Sequence, residues 1–194
     1  MDRSVSGRRA WCPVICLGVD PGGSSGAAVA LDTSVRPARV FDLLAWSEGS
    51  TAGQSDLRIC GPAGAVSRCP VGSLQSVARW WLLGLTGSVD RASVEEPLHG
   101  SRRGASAVNL GAHAEAGEWR GLIRGVLDLP CERPAAQRWR RDVLGLGSSL
   151  EARQADKRVA ALIRAIVSLP PGLPAWALKH LPDACGVALW GART

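Results

Sequence analysis

The first part of the chain alternates apolar runs with turn-forming residues. Residues 14–20 form an apolar run that is rich in strand-forming residues and ends at a single carboxylate, Asp20. Pro21, Gly22 and Gly23 then indicate a tight turn, and residues 27–31 are apolar again. This pattern predicts a β-hairpin in the middle of a sheet, with a third strand following it in a meander.

The remaining segments differ in the spacing of their apolar residues, which separates predicted helices from predicted strands. Several have apolar residues at helical spacing and others read as short strands that end at prolines. Helices are predicted at residues 71–85, 105–127, 135–144 and about 149–168, with a last helix within 175–191, and strands are predicted at 39–46, 90–96 and 129–134. The Gly-, Ser- and Pro-rich stretch 47–70 predicts an irregular excursion instead.

A carboxylate stands at the end of two of these strands. A strand–helix–strand succession predicts a parallel crossover, which places the end of strand 90–96 beside Asp20. Glu95 and Glu96 face opposite sides of that strand, so one of them can share a cleft with Asp20. Such acids can hold a divalent metal against a phosphate, and the plain alternative is two solvated turns.

The last helical segment carries a histidine and an acid within one turn. Pro182 fits the first position of a helix, which would put Asp183 in the first turn and His180 just before it. If the helix starts earlier, His180 and Asp183 share a face and can supply two ligands to one metal. An aspartate favoured by the helix dipole is the alternative.

Composition indicates one globular domain with a basic surface. The chain has 194 residues, 46% of them hydrophobic, and carries 23 basic against 17 acidic side chains. We expect a flexible basic N-terminus at 1–12 and a single domain at 13–194. Because nearly all the positive charge is arginine, a polyanionic partner is plausible. The candidate phosphate contacts are Arg102, Arg103, Arg138, Arg140, Arg141, Arg153, Lys157 and Arg158, with a solvated basic face as the alternative.

Cysteine usage and hydropathy favour a cytoplasmic protein. The six cysteines show neither a C-x-x-C pair nor histidines at zinc spacing, and we expect reduced thiols. The apolar run after Arg8 and Arg9 is interrupted by Asp20 and Pro21, which argues against a signal peptide. We expect no membrane span, because no apolar run approaches the roughly 20 residues that one needs.

Five segments, in order, resemble the RuvC Holliday junction resolvases over residues 14–192. The segments are L-G-V-D-P-G with the following S-S-G, S-V-E-E-P-L, A-S-A-V-N-L-G-A-H-A-E-A-G, V-L-G-L-G-S-S and H-L-P-D-A-C-G-V-A-L-W. The resemblance implies an α/β fold of the RNase H-like kind, with a mixed five-stranded sheet flanked by helices. It also implies a homodimer, for which helix 105–127 with its small residues is the candidate interface.

The resemblance assigns roles residue by residue. Asp20 matches the family's first-strand aspartate, Glu95 its glutamate after the fourth strand and Asp183 its last-helix aspartate, while His180 falls where members carry Asp or His. These four would bind two Mg²⁺ per active site, with Mn²⁺ able to substitute. Leu98 departs from the pattern, because many members place a junction-probing aromatic residue there.

The implied activity is metal-dependent cleavage of four-way DNA junctions by paired symmetric nicks that leave 5′-phosphate ends. Two alternatives remain from the sequence. One is a junction-binding protein with impaired catalysis, which would keep the basic surface without needing metal. The other is an RNase H-like nuclease that acts on RNA or on other branched DNA.

Overall fold

The computed structural model describes residues 14–22, 24–51, 54–97, 106–147 and 152–194. The expectations for the basic N-terminus, for Leu98 and for the loop with Arg102 and Arg103 fall outside these residues. The helix that carries Arg153 is described, but the side chain of Arg153 is not.

Eight strands and five helices make up the described chain. The strands are β1 (Ile15–Asp20), β2 (Ser25–Asp32), β3 (Ala38–Thr51), β4 (Gln54–Cys60), β5 (Val66–Pro70), β6 (Arg91–Val94), β7 (Cys131–Glu132) and β8 (Val167–Ser168). The helices are α1 (Leu74–Gly84), α2 (Ser106–Leu127), α3 (Ala136–Leu144), α4 (Ala152–Ile166) and α5 (Ala175–Gly191).

The strands form one mixed sheet in the order β5-β4-β3-β2-β1-β6-β7, with β8 paired to β3. β1, β2 and β3 are antiparallel neighbours, whereas β6 pairs parallel to β1 and β7 parallel to β6. The five strands β3-β2-β1-β6-β7 form the predicted mixed five-stranded sheet, which β4, β5 and β8 extend, and the predicted parallel crossover is confirmed. Because β1 lies between β2 and β6 and helices cover both faces of the sheet, the run that ends at Asp20 is buried.

The prediction of an irregular excursion at 47–70 was wrong. β3 continues to Thr51 and pairs with β4, which in turn pairs with β5, so the stretch is a regular antiparallel extension of the sheet. Leu57 is buried on one face of β4, while Arg58 lies on the other. Glycine and serine have low strand propensity, but pairing between neighbouring strands overrides local preference here.

Of the two starts that the sequence left open for the last helix, Pro182 was wrong and the earlier start is confirmed. α5 begins at Ala175 and runs through Pro182, which lies in its interior. The helix continues because almost its whole second half is buried against β1 and β2. The close approach requires Gly18, since a Cβ there would lie 2.2 Å from the Ala184 carbonyl oxygen. His180 and Asp183 therefore lie within one helix, and the dipole explanation of Asp183 does not apply.

Helices cover both faces of the sheet. α5, with α3 and α4, covers one face, and α1 and α2 cover the other, where Trp46 stacks on Trp119 with ring centroids 5.3 Å apart. α4 ends earlier than predicted, because residues 167–168 pair with β3 as β8. A Cβ at Gly121 or Gly125 would meet no atom of the described residues within 4 Å, so these glycines of α2 serve no close packing against that part of the chain. The dimer interface on α2 stays a prediction.

Two further expectations concern cysteines and membranes. The described cysteines Cys16, Cys60, Cys69, Cys131 and Cys185 are all free thiols. Within the described ranges, no helix has the length and apolar character required to cross a bilayer.

Candidate active site

Three acids from separate elements meet at the carboxyl end of β1. Asp20 is the last residue of β1, and Glu95 follows β6 directly, held by a hydrogen bond from its backbone N–H to the Val19 carbonyl at 2.9 Å. Asp183 reaches the same place from α5, which packs across β1. Parallel strands end at one edge of a sheet, so the topology itself brings Asp20 and Glu95 together.

The electrostatics of the site follow from this crowding. Burial, followed by the negative charges of Asp20 and Asp183, raises the pKa of Glu95 to about 8. Burial and the charge of Asp20 raise the pKa of Asp183 to about 6, against the opposing effect of Arg140. The charge of Asp20 therefore disfavours ionisation of both Glu95 and Asp183, as expected of acids that share one site.

His180 joins the acids from the same helix as Asp183. Its Nδ1 lies 3.2 Å from Asp20 Oδ2, and its Nε2 lies 2.9 Å from Ser25 Oγ. The imidazole is thus oriented by a serine on one side and a carboxylate on the other. Ser25 was not singled out from the sequence, and its place directly after the glycine turn is the signal that could have identified it.

α3 supplies two further contacts to the acids. Trp139 donates its indole N–H to Glu95 Oε2 at 2.9 Å, and Arg140 Nη2 donates to Asp183 Oδ1 at 2.8 Å. The sequence placed Arg140 among phosphate contacts, and the structure places its guanidinium on a site carboxylate. Trp139 is fully buried and was not singled out, because a buried tryptophan reads as core.

Glu96 points away from this site, as the strand alternation predicts. Its carboxylate pairs with Arg120 at 3.0 Å and lies 3.9 Å from His113 Nδ1. The contact of His113 with Glu96 lies outside the cluster of Asp20, Glu95 and Asp183. The two adjacent glutamates therefore occupy different environments.

The remaining basic candidates lie mostly at the surface. The Arg138 guanidinium lies over the Trp190 ring, 5.2 Å from its centroid, and Arg141 pairs with Asp142 at 3.0 Å. Lys157 and Arg158 are exposed on α4. Of these candidates, Arg140 is the residue whose side chain contacts a site carboxylate.

The donor set suits a hard divalent cation, although its atoms are engaged by protein groups. Among the described residues, no three His, Cys, Asp or Glu side chains are already arranged around one ion position. Arg140 holds Asp183, Trp139 holds Glu95 and His180 holds Asp20, so each carboxylate has a protein partner. Carboxylate oxygens with one imidazole nitrogen nevertheless match what Mg²⁺ and Mn²⁺ bind, and a cation would relieve the repulsion among the acids.

Metal-free protein should lose stability as the pH rises. The folded-state pKa values of Glu95 and Asp183, about 8 and about 6, lie above their ordinary values of 4.5 and 3.8. Between the ordinary pKa and the raised pKa of each acid, the folded state binds more protons than the unfolded state. The free energy of unfolding therefore falls as the pH increases through this range. Thermal unfolding in EDTA should show Tm falling by several degrees between about pH 5 and about pH 8.5.

Magnesium provides the control for this trend. Burial also raises the pKa of Glu115 to about 8, so part of the decline is independent of the candidate site. Addition of Mg²⁺ at high pH should restore the part due to Glu95 and Asp183. A Tm that is flat with pH in EDTA would contradict the crowding of these acids, and a Tm that Mg²⁺ leaves unchanged at high pH would contradict a cation site there.

The chain is similar to solved structures of one kind of protein. A Thermus thermophilus RuvC structure matches with a TM-score of 0.47 and 18% identity, covering 89% of this chain and 90% of that one. A structure of T. thermophilus RuvC in complex with Holliday junction substrate matches with a TM-score of 0.48 and 15% identity, covering 91% of each chain. The likeness is one of fold. No protein-family model and no curated protein matches the sequence.

Proposed function

We propose that this chain is a divalent-metal-dependent endonuclease that resolves four-way DNA junctions by paired nicks leaving 5′-phosphate ends. The observation that carries the proposal is the meeting of Asp20, Glu95 and Asp183, with His180, at the end of the central strand. The net charge of +6, almost all of it from arginine, supports a polyanionic substrate.

Each side chain of the candidate active site would have a separate role in cleavage. Asp20, Glu95, Asp183 and His180 would hold two Mg²⁺, which supply an activated water and stabilise the leaving 3′ oxygen when bound. Ser25 orients the imidazole of His180, and Trp139 fixes one oxygen of Glu95. Arg140 partly neutralises Asp183 through a hydrogen bond to its Oδ1.

The proposal extends to the assembly. A four-way junction presents two strands for cleavage, so paired nicks require two active sites and hence a homodimer. α2 is the proposed interface, because its outward glycines allow a second helix to approach closely. Arg102, Arg103, Arg138, Arg141, Arg153, Lys157 and Arg158 are proposed as contacts to the DNA backbone, in a protein that acts on cytoplasmic DNA.

A synthetic four-way junction with labelled strands tests the proposal. Wild type should nick two strands of like polarity in Mg²⁺, should not nick in EDTA, and should bind the junction in both. Binding that resists EDTA without any nicking would instead indicate a junction-binding protein. Preferential cleavage of an RNA–DNA hybrid, a flap or a plain duplex would replace the junction with another substrate of an RNase H-like nuclease.

Substitution of His180 separates a ligand role from a structural one. His180→Ala should raise the Mg²⁺ concentration required for half-maximal nicking by about tenfold, because a proposed ligand is lost. His180→Asp should retain activity, because a carboxylate is an equally good ligand for Mg²⁺. Magnesium titrations of the nicking rate measure both, with Lys179→Ala on the exposed face of α5 as the control. An inactive His180→Asp that folds normally would argue against the ligand role.

A further inference from the structure

A row of polar side chains crosses the sheet away from His180. In the register of the sheet, Ser25 on β2 lies opposite Ser47 on β3, Ser47 lies opposite Arg58 on β4, and Arg58 lies opposite Arg68 on β5. Residues that are paired directly across antiparallel strands point to the same face of the sheet. The row begins at the hydroxyl that contacts the imidazole, so it leads outward from the candidate active site.

The row lies on the same face as α5. Ala45 and Cys60 belong to the core beneath α5. Ser47 and Arg58 lie two positions along their strands from these residues, and side chains on a strand return to the same face every second residue. The extension of the sheet that the sequence did not predict therefore presents its polar side next to the candidate active site.

Within this row, Arg58 has a guanidinium that neighbouring side chains hold in position. Its guanidinium lies over the Trp176 ring, 5.5 Å from the ring centroid, and its Nη2 donates to Ser47 Oγ at 3.3 Å. Its Nε is buried and, within the described part of the chain, has no hydrogen-bond partner. Asp56, two residues away on the same face, is paired with Arg68 instead, at 3.1 Å. Trp176 itself precedes His180 by one helical turn.

Neither of these contacts is an ion pair, so they hold the guanidinium of Arg58 in place without neutralising its charge. A guanidinium has five N–H donors in a planar fork that matches phosphate oxygens, and stacking on an aromatic ring fixes that plane. An arginine with a purely structural role would be expected to end on a carboxylate or on backbone carbonyls. Arg58 ends instead on a hydroxyl and an indole, which leaves donors for an anion.

We propose that Arg58, stacked on Trp176, binds a backbone phosphate of the DNA strand that continues from the scissile phosphate. Two strand spacings separate Arg58 from Ser25, which is roughly 10 Å at about 4.8 Å per strand. The ligand class is the phosphodiester backbone, read without sequence preference. This subsite rests on the proposed function, because it assumes that the substrate is DNA.

Junction binding measured in EDTA tests the subsite apart from cleavage. Arg58→Gln should weaken the binding of a four-way junction by about tenfold, and should reduce the slope of log affinity against log salt by about 1. Fluorescence anisotropy across a salt series gives both quantities. Arg39→Gln is the matched control, since Arg39 is an exposed arginine on β3 that pairs with Asp32 at the opposite end of the sheet, and it should bind as wild type does.

Thermal unfolding of each variant distinguishes a DNA contact from a packing role. A lower Tm for Arg58→Gln with unchanged affinity and salt slope would overturn the subsite, as would binding equal to wild type at unchanged Tm. If Arg58→Gln does not fold, Arg58→Lys retains the charge and the stem but loses the stacked fork. It should bind at least about threefold more weakly, and wild-type binding by it would overturn the proposal.

Different results would overturn the proposed nuclease activity and the proposed phosphate subsite at Arg58. Wild type that binds the junction through Arg58 but never nicks it in Mg²⁺ would remove the nuclease and leave the subsite. Wild type that nicks the junction, together with Arg58 variants that bind like wild type, would remove the subsite and leave the nuclease.

Discussion

Asp20→Asn should abolish Mg²⁺-dependent nicking, with a loss of at least about 10³-fold. Asp20 is central to the cluster, because it contacts His180 and its charge raises the pKa of both Glu95 and Asp183. An amide oxygen is a much weaker ligand than a carboxylate for a hard cation. Single-turnover nicking of a labelled junction, with enzyme in excess, measures the loss directly.

The same variant should still fold and bind DNA. Removing the charge of Asp20 relieves repulsion on Glu95 and Asp183, so the Tm in EDTA should not fall. Junction affinity in EDTA should match wild type. Asp32→Asn is the matched control, because Asp32 lies at the other end of the same β1–β2 pair, opposite Ile15, and should leave nicking unchanged. Full nicking by a folded Asp20→Asn would remove Asp20 from the site.

Glu95→Gln should be almost as damaging as Asp20→Asn, whereas Glu96→Gln should retain most of the nicking activity. The two residues are adjacent in the chain, but Glu95 lies beside Asp20 and Asp183 while Glu96 pairs with Arg120 on the other side of the strand. We expect a loss of about 10³-fold for Glu95→Gln, because a proposed metal ligand loses its charge. Glutamine keeps the oxygen that accepts from the Trp139 indole N–H, so packing should be preserved.

Glu96→Gln is the matched control for this loss. It removes the ion pair with Arg120, which is partly exposed, and should therefore lower Tm by no more than a few degrees. Parallel measurements of nicking and Tm separate the two effects. If Glu96→Gln eliminated nicking and Glu95→Gln did not, the assignment of the metal ligand on this strand would be wrong.

Most local elements and the position of Asp20 followed from pattern alone, and the pattern left Glu95 and Glu96 as alternatives for a second acid. The apolar run that ends at Asp20, the glycine turn after it and the crossover to Glu95 could be predicted, because strand burial and crossover handedness are general physical constraints. Alternation within a strand also separated Glu95 from Glu96. The choice of Glu95 over Glu96, and the roles of His180 and Asp183, came from the resemblance to a family.

Other features could not be read from local sequence. Pro182 ordinarily marks the start of a helix, but burial of α5 against β1 outweighs the missing N–H and lets the helix begin at Ala175. The stretch 47–70 contains glycine, serine and proline, yet pairing with the edge of the sheet makes it regular. In both cases contacts between secondary-structure elements provide more free energy than local propensity does.

The sequence by itself therefore determined the order of the main strands and helices outside residues 47–70, the acid at the end of the central strand and the basic character of the chain. Tertiary structure alone decided which side chains hold the acids and what surrounds them. Ser25 on His180, Trp139 on Glu95 and Arg58 on Trp176 join residues far apart in the chain. The physical reason is that the spacing of apolar residues specifies which face of a helix or strand is buried. Which residues that face contacts is specified only when the elements pack against each other.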